Sequence, residues 1–195
     1  MNILTKTFSA PPVDVREIAR YAGCRTENHD IEEKIRACVT EAQHLFKYTI
    51  VYTECPVAVT GTTVDFGVFR VPSQSLCRAL AGCCTAVLFA ATVGLEIDRL
   101  VARYGITEPS KALLLQSFGA ERIEALCDRF GEFLKETTGK TLHPRFSPGY
   151  GDCPLCVQHD LFTVLDCSRK IGLSLTDTLL MSPTKSVTAV IGLEG

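Results

Sequence analysis

The feature that most constrains the fold is a run of 17 residues without a charged side chain, Ala79–Leu95. This length lies at the lower edge of what an α-helix needs to cross a bilayer. Gly82 and Gly94 interrupt the run, however, and no second segment of this kind follows. We therefore predict no membrane span. The pattern favours the end of a helix followed by a strand that is buried on both faces, over Cys84–Val93.

The other periodic segments of the chain divide into helical and strand patterns. Helical spacing and capping residues predict helices over Val13–Tyr21, Asp30–Phe46, Gln74–Ala81, Glu96–Tyr104, Ser110–Thr137 and Val157–Lys170. Short apolar runs between turn residues predict strands over Tyr48–Thr53, Val57–Thr60, Thr63–Val71, Thr178–Met181 and Val187–Ile191. Because the strands cluster and do not alternate strictly with helices, we predict an α+β fold with a twisted, largely antiparallel sheet. No linker divides the chain, so residues 1–195 are predicted to form a single domain.

Charge and cysteine content narrow the function classes. A net charge of −2 and a pI near 6.1 provide no basic surface for nucleic acid or anionic lipid. The 10 cysteines in 195 residues are too few for a disulfide scaffold. Residues Met1–Lys6 lack the apolar core of a signal peptide. We therefore expect reduced thiols and a cytoplasmic protein.

The loop from Arg145 to Tyr150 is the most distinctive in the chain. Pro148 restricts its own φ angle, and Gly149 permits a turn that a side chain would forbid. Such a loop can present main-chain groups to a flat ligand. Arg145 offers a planar fork that suits a carboxylate, and Tyr150 offers a phenol. The alternative is an ordinary connecting loop with an exposed arginine.

Four acidic residues recur along the longest predicted helix. They are Glu121, Glu124, Asp128 and Glu132, and their spacing places them on one side of the helix. These carboxylates can hold a cationic group, such as an amino or a sulfonium centre. The same stripe is also typical of a solvated helix face. Which interpretation holds depends on whether the Arg145 loop folds back over the helix.

Cys153 and Cys156, with His159 close behind, have half the spacing of a zinc site. Two further ligands would have to come from elsewhere in the chain. Metal binding, thiol redox chemistry and simple burial of the thiols all remain open here. The dinucleotide and P-loop glycine patterns are absent from the sequence, as is the three-cysteine pattern of radical iron–sulfur enzymes.

Several strings of the sequence together resemble a known family. They are Arg20–Gly23, Ala91–Asp98, Glu124–Leu126, Arg145–Tyr150 with Cys153-Pro154, and Met181–Val187. In content and order they resemble the reactivation domain at the C-terminus of cobalamin-dependent methionine synthase. The likeness is closer still to the stand-alone bacterial relatives of that domain. The Arg-x-x-x-Gly-Tyr loop is the most specific string.

This resemblance implies a single α+β domain that binds S-adenosylmethionine. The loop residues that it implies are Arg145 for the ligand's carboxylate, the backbone of Phe146, Ser147 and Gly149 for the adenosine, and Tyr150. The acidic residue near the ligand's amino group corresponds to Glu124 by its local context, or to Asp128 if the helix ends are aligned. The family's full-length enzyme has a further acidic contact near the start of the domain, and no counterpart is evident in this sequence.

The implied function is support of the reductive methylation of cob(II)alamin in methionine biosynthesis. The corrinoid-binding pattern Asp-x-His-x-x-Gly is absent, so the resemblance implies cobalamin held by a partner chain and an external electron donor. The chain would then be a component of a methyltransferase activity rather than a complete enzyme, with no catalytic side chain or metal of its own. The alternatives are a ligand-free docking module for a corrinoid protein, and a metal or thiol-redox protein that uses Cys153 and Cys156.

Overall fold

The fold is built around one five-stranded sheet. A computed structural model of the protein describes residues 1–24 and 28–194. Its elements are β1 (Leu4–Thr7), α1 (Val15–Tyr21), α2 (His29–Ala42), β2 (Thr49–Pro56), β3 (Ala58–Thr60), β4 (Thr63–Asp65), β5 (Arg70–Pro72), α3 (Gln74–Ala79), β6 (Thr85–Thr92), α4 (Glu96–Thr107), α5 (Pro109–Thr138), β7 (Thr141–Leu142), α6 (Val157–Leu165), α7 (Cys167–Ile171), β8 (Ser174–Leu175), β9 (Met181–Ser182) and β10 (Ser186–Glu194). The sheet order is β1-β2-β6-β10-β7, and every neighbouring pair is antiparallel. The predicted α+β class is confirmed.

The uncharged run Ala79–Leu95 contains the central strand of this sheet. After α3 ends at Ala79, a turn at Gly82 with φ of +82° leads into β6. Both edges of β6 carry ladder hydrogen bonds, to β2 and to β10, and its residues after Thr85 are all buried. A strand that is covered on both faces has no position for a charged side chain. The prediction of a short helix end and a buried strand is therefore confirmed.

Two hydrophobic cores lie on the opposite faces of the sheet. Helices α1, α2, α4 and α5 cover one face, where Phe89 and Ala189 meet Phe118 and Phe130 of α5. Helices α3, α6 and α7 cover the other face, together with a small antiparallel sheet of β3, β4 and β5. The 30 residues of α5 form the longest helix, and its buried side packs along the first face. Within residues 1–24 and 28–194, no helix is both long and apolar enough to cross a membrane.

Some predicted helix boundaries are wrong, each for a local reason. The helix expected to stop at Tyr104 continues through Gly105 to Thr107, since that glycine does not adopt a positive φ. The helix expected over Val157–Lys170 is divided at Asp166, which has φ of +53° and separates α6 from α7. The second helix is capped by the side chain of Asn28 and not by Asp30.

Predicted strands were also displaced or missed. The single strand expected over Thr63–Val71 is a hairpin, β4 and β5, with Gly67 at φ of +79° in its turn. Of the strand expected over Thr178–Met181, only Met181 is extended, as part of β9. Strands β1, β7 and β8 were not predicted because two to four residues carry no measurable periodicity.

Candidate functional site

Arg145 stands in the segment that connects β7 to α6, and its neighbour holds it against the sheet. Phe146 forms an isolated antiparallel bridge with Val190 of β10, with N–H to carbonyl distances of 2.9 and 2.8 Å. The Phe146 side chain is partly buried against the second core. Because alternate side chains point to opposite faces of an extended segment, Arg145 projects toward the α5 side of the sheet.

Arg145 contacts both of the carboxylates between which the sequence left a choice. Its Nη1 donates to Oδ1 of Asp128 at 2.7 Å, and its Nη2 donates to Oε2 of Glu124 at 2.9 Å. Glu124 and Asp128 are one helical turn apart, so a single guanidinium spans them. Burial lowers the pKa of Arg145, but the surrounding Cys127, Asp128 and Glu124 groups outweigh it, and the net pKa is raised. The Arg145 loop therefore does fold back over the acidic face of the helix, the condition that the sequence left open.

A cavity of about 410 Å³, the acidic groove, opens beside this ion-pair cluster. It is lined by Pro11, Pro12, Asp14, Glu17, Tyr21, Glu121, Glu124, Ala125, Asp128, Arg129 and Glu132. Six of these side chains are carboxylates and only one is basic. Asp128 also lines a second cavity of about 530 Å³, the Arg145 groove, together with Arg145, His143 and Ile191. The ion-pair cluster therefore stands between two open concave surfaces.

One wall of the acidic groove is the N-terminal segment around Pro11 and Pro12. A buried ion pair on α5 holds this segment in place. Arg122 is 1% exposed and forms an ion pair with the neighbouring carboxylate of Glu121. Its Nη1 and Nη2 also donate to the carbonyls of Pro11 and Pro12, at 2.7 and 2.6 Å. Glu121 in turn accepts the backbone N–H of Asp14 at 3.2 Å. Glu121, predicted on sequence as a member of the acidic stripe, therefore anchors the N-terminal segment.

Two acidic residues at the start of α1, Asp14 and Glu17, line the groove, although the sequence showed no counterpart of the family's further acidic contact. Both already have partners. Asp14 caps α1 by accepting the N–H groups of Arg16 and Glu17, at 2.9 and 3.1 Å. Glu17 accepts from Arg20 at 2.7 and 2.9 Å. Tyr21 lies across the groove, and its pKa is raised by burial and by the negative charge of Glu124.

The remaining predicted residues form the turn that follows Arg145. The N–H of Tyr150 donates to the Ser147 carbonyl at 3.3 Å, and the N–H of Gly149 donates to the Cys153 carbonyl at 3.0 Å. Gly149 has φ of +90°, and a Cβ there would lie 3.2 Å from the Leu155 side chain. The Tyr150 side chain is 69% exposed. The glycine is thus required by the turn, and the phenol remains available at the surface.

Asp152 ties this turn to α3, a role that the sequence analysis missed. Its carboxylate accepts the hydroxyl of Ser73 at 2.7 Å and the N–H groups of Gln74 and Ser75 at 2.8 and 3.0 Å. These three hydrogen bonds hold the pKa of Asp152 far below its usual value. Ser73 and Asp152 are 79 positions apart, so no local pattern connects them. The only sequence signal was an acidic residue directly after Gly-Tyr-Gly.

Two further sequence strings that carry the family resemblance, Ala91–Asp98 and Met181–Val187, lie together at one end of β6 and β10. Thr184 donates from its N–H and its hydroxyl to Asp98, at 2.7 and 2.6 Å. The hydroxyl of Ser186 donates to that of Thr92 at 2.9 Å, and the N–H of Val93 donates to the Lys185 carbonyl at 3.1 Å. The Ala91–Asp98 and Met181–Val187 strings are therefore one structural unit that joins α4 to the sheet.

The cysteines considered for metal or redox chemistry differ in environment. Cys153 is buried, and burial raises the pKa of its thiol, whereas Cys156 is exposed. Both are free thiols. Across the described part of the chain, no group of three or more His, Cys, Asp or Glu side chains is placed to hold a metal ion.

The architecture places the protein in a known class of α+β domains. A solved structure described as "Crystal Structure of the MetH Reactivation Domain bound to AdoHcy" matches with a TM-score of 0.70 and 13% sequence identity. The match covers 100% of this chain and 79% of that chain, and at this identity it establishes the fold. No curated protein matches the sequence significantly.

Family membership follows from the sequence itself. The family model described as "Vitamin B12 dependent methionine synthase, activation domain" matches residues 82–194. This range includes more than half of the chain, with α5, the Arg145 loop and β10. The protein belongs to this activation-domain family, as the resemblance implied.

Proposed function

We propose that the protein binds S-adenosylmethionine at the Arg145 cluster and presents its methyl group to a corrinoid held by a partner protein. The observation that carries this proposal is the contact of Arg145 with Glu124 and Asp128 at the edge of the acidic groove. Family membership supports it, since the matched range includes all three residues. The related domain of known structure was solved with AdoHcy, the demethylated form of the same molecule.

The donor set fits the charged parts of the ligand. S-adenosylmethionine carries a carboxylate, an ammonium group and a sulfonium centre. The Arg145 guanidinium has the fork geometry for a carboxylate. Glu124 and Asp128 both pair with that fork, so a carboxylate that can accept an ammonium lies next to the position of the ligand's carboxylate. The surplus of carboxylates in the acidic groove stabilises a cationic sulfonium through its electrostatic potential.

The turn after Arg145 fits the adenosine. Gly149 removes the side chain where the backbone turns, so main-chain groups of Ser147 and Gly149 can approach a flat base closely. Tyr150 adds an exposed aromatic face. Asp152, bonded to Ser73, holds this turn in place relative to α3. A turn that is already ordered loses less entropy when a ligand binds.

The contribution of this chain is positioning. The bound ligand would supply an electrophilic methyl group and leave as S-adenosylhomocysteine, and the partner's cobalt, reduced by an external electron donor, would be the acceptor. Arg145 and Glu124 would hold the amino acid end of the ligand, and the turn would hold the nucleoside end. With both ends fixed, the methyl group has a defined orientation toward the partner, which is the main contribution of proximity to rate.

Calorimetric titration with S-adenosylmethionine tests the proposal. We expect saturable binding to the wild-type chain and a loss of at least about tenfold in affinity for Arg145→Ala, since a charge-assisted pair contributes roughly 1.5–3 kcal/mol. Arg129→Ala is the matched control, because Arg129 lines the same groove but pairs with Glu132.

Each outcome has a distinct meaning. Binding that is lost in Arg145→Ala and kept in Arg129→Ala supports the proposal. Equal affinity for wild type and Arg145→Ala removes Arg145 from the site. Absence of binding to the wild-type chain, combined with a stable complex with a corrinoid protein, replaces the proposal with a docking module.

A further inference from the structure

We infer that Asp128 is a built-in competitor for the ligand's carboxylate, and that the site consequently selects ligands with a free zwitterionic α-amino acid group. This inference rests on the proposed function and assigns Asp128 a role opposite to that of a ligand contact. It also resolves the choice between Glu124 and Asp128.

Both terminal nitrogens of Arg145 already donate to carboxylates of α5. Nη1 donates to Asp128 and Nη2 donates to Glu124. A bidentate carboxylate approaches a guanidinium through two parallel N–H groups. An incoming carboxylate that binds across the Nη pair therefore competes with both helix carboxylates, and one that binds the same N–H of Nη1 competes with Asp128.

The two displaced carboxylates are not equivalent. The Asp128 side chain is 73% exposed and that of Glu124 is 45% exposed. Glu124 also faces Tyr21 across the acidic groove, whereas Asp128 borders both grooves. After displacement, Asp128 is readily hydrated, while the less exposed Glu124 gains more from a new cationic partner. The structure thus assigns Glu124 to the ligand's ammonium and Asp128 to competition.

Charge balance then explains the selectivity. A zwitterionic ligand returns a carboxylate to Arg145 and an ammonium to Glu124, so only the exposed Asp128 loses its partner. A ligand with a carboxylate alone leaves two carboxylates unpaired next to its own negative charge. A ligand without the amino acid group leaves the original ion pairs intact and gains nothing from Arg145. A ligand that has to replace the existing ion pairs of Arg145 is therefore selected by its pattern of charges as well as by its shape.

Neutralising Asp128 tests the inference. We expect Asp128→Asn to bind S-adenosylhomocysteine about two- to fivefold more tightly than wild type, because the competing pair is solvent-exposed and correspondingly weak. S-adenosylhomocysteine is the probe because it keeps both charges of the amino acid but lacks the sulfonium. Affinity for 5′-methylthioadenosine, which lacks the amino acid, should not change. Glu124→Gln should weaken S-adenosylhomocysteine binding.

Glu132→Gln is the matched control. Glu132 lies one turn further along the same helix and borders both grooves, but it pairs with Arg129. An equal gain in Glu132→Gln would indicate a general field effect and overturn the inference. Unchanged or weaker binding in Asp128→Asn, with a wild type that binds, overturns the inference and leaves the proposed function standing. Binding of S-adenosylmethionine and S-adenosylhomocysteine by neither wild type nor Asp128→Asn overturns both.

Discussion

The side chain of Lys185 lies against the bare backbone of Gly119. A Cβ at Gly119 would be 2.9 Å from Cε and 3.0 Å from Cγ of Lys185. Lys185 is 8% exposed, and burial lowers the pKa of its amino group, an effect that Asp98 opposes. The absence of a side chain at Gly119 therefore lets α5 pack closely against Lys185. Lys185 directly precedes β10 and belongs to the Met181–Val187 string that carries the family resemblance.

Gly119→Ala is expected to lower the free energy of unfolding by about 1 kcal/mol, although alanine is the better helix former. The added methyl must displace a buried lysine stem. Gly131→Ala on the same helix is the comparison, since a Cβ there has no neighbour within 4 Å. That change should raise stability by about 0.5–1 kcal/mol. Urea denaturation measures both, and the same sign for both variants would contradict the packing argument.

Arg122→Met is expected to cost about 3–5 kcal/mol, because it leaves the Glu121 carboxylate buried without its partner. The carbonyls of Pro11 and Pro12 would lose their donors as well. Adding Glu121→Gln should recover part of the loss. The exposed pair of Arg99 with Glu96, at 2.8 Å, is the reference, and Arg99→Met should cost under about 1 kcal/mol. Equal costs for Arg122→Met and Arg99→Met in urea denaturation would rule out an anchoring role for the buried pair.

Asp152 holds the loop after Arg145 through its ionised carboxylate, so the stability of the protein should depend on pH. Its pKa is lowered in the folded chain, so its stabilising effect is complete above the unfolded pKa, near 4. As the pH falls below about 4 toward the folded pKa, the effect is lost. The difference in Tm between wild type and Asp152→Asn should therefore be constant from pH 7 to 5 and shrink toward pH 3. Asp177→Asn, at an exposed carboxylate, is the comparison variant for the loss of one charge.

We expect the exposed and the buried cysteines to react with an alkylating reagent at very different rates. Cys84 and Cys156 are exposed, whereas burial raises the pKa of Cys127 and of Cys167 to about 12, and that of Cys55 to about 11. Because the thiolate is the reactive form, iodoacetamide at pH 8 should label the two exposed thiols first. Peptide mass spectrometry identifies the labelled sites, and unfolded protein should react at all 10 cysteines. Rapid native labelling of Cys127, which is buried beside the Arg145 groove, would contradict the argument from burial.

Much of the fold could be predicted because its causes are local. The uncharged Ala79–Leu95 run required a buried element, and β6 is that element. The long periodic segment over Ser110–Thr137 became α5 almost to the residue. Errors occurred where one residue decides a boundary. Asp166 adopts φ of +53° and ends α6, and aspartate in a helical pattern does not by itself announce a left-handed conformation.

The candidate site also has parts that the sequence predicts and parts that only the tertiary structure determines. Arg145, Glu124 and Asp128 were predicted as candidate site residues because their residue types and local strings are typical of the proposed chemistry. Their mutual contact is a tertiary fact, since 17 and 21 positions separate Arg145 from the two acids. The roles of Arg122, which reaches 111 positions back to Pro11, and of Asp152 were absent from every local pattern. Side-chain chemistry and helical periodicity belong to short stretches of chain, whereas the partner of a buried charge is decided only when distant segments pack together.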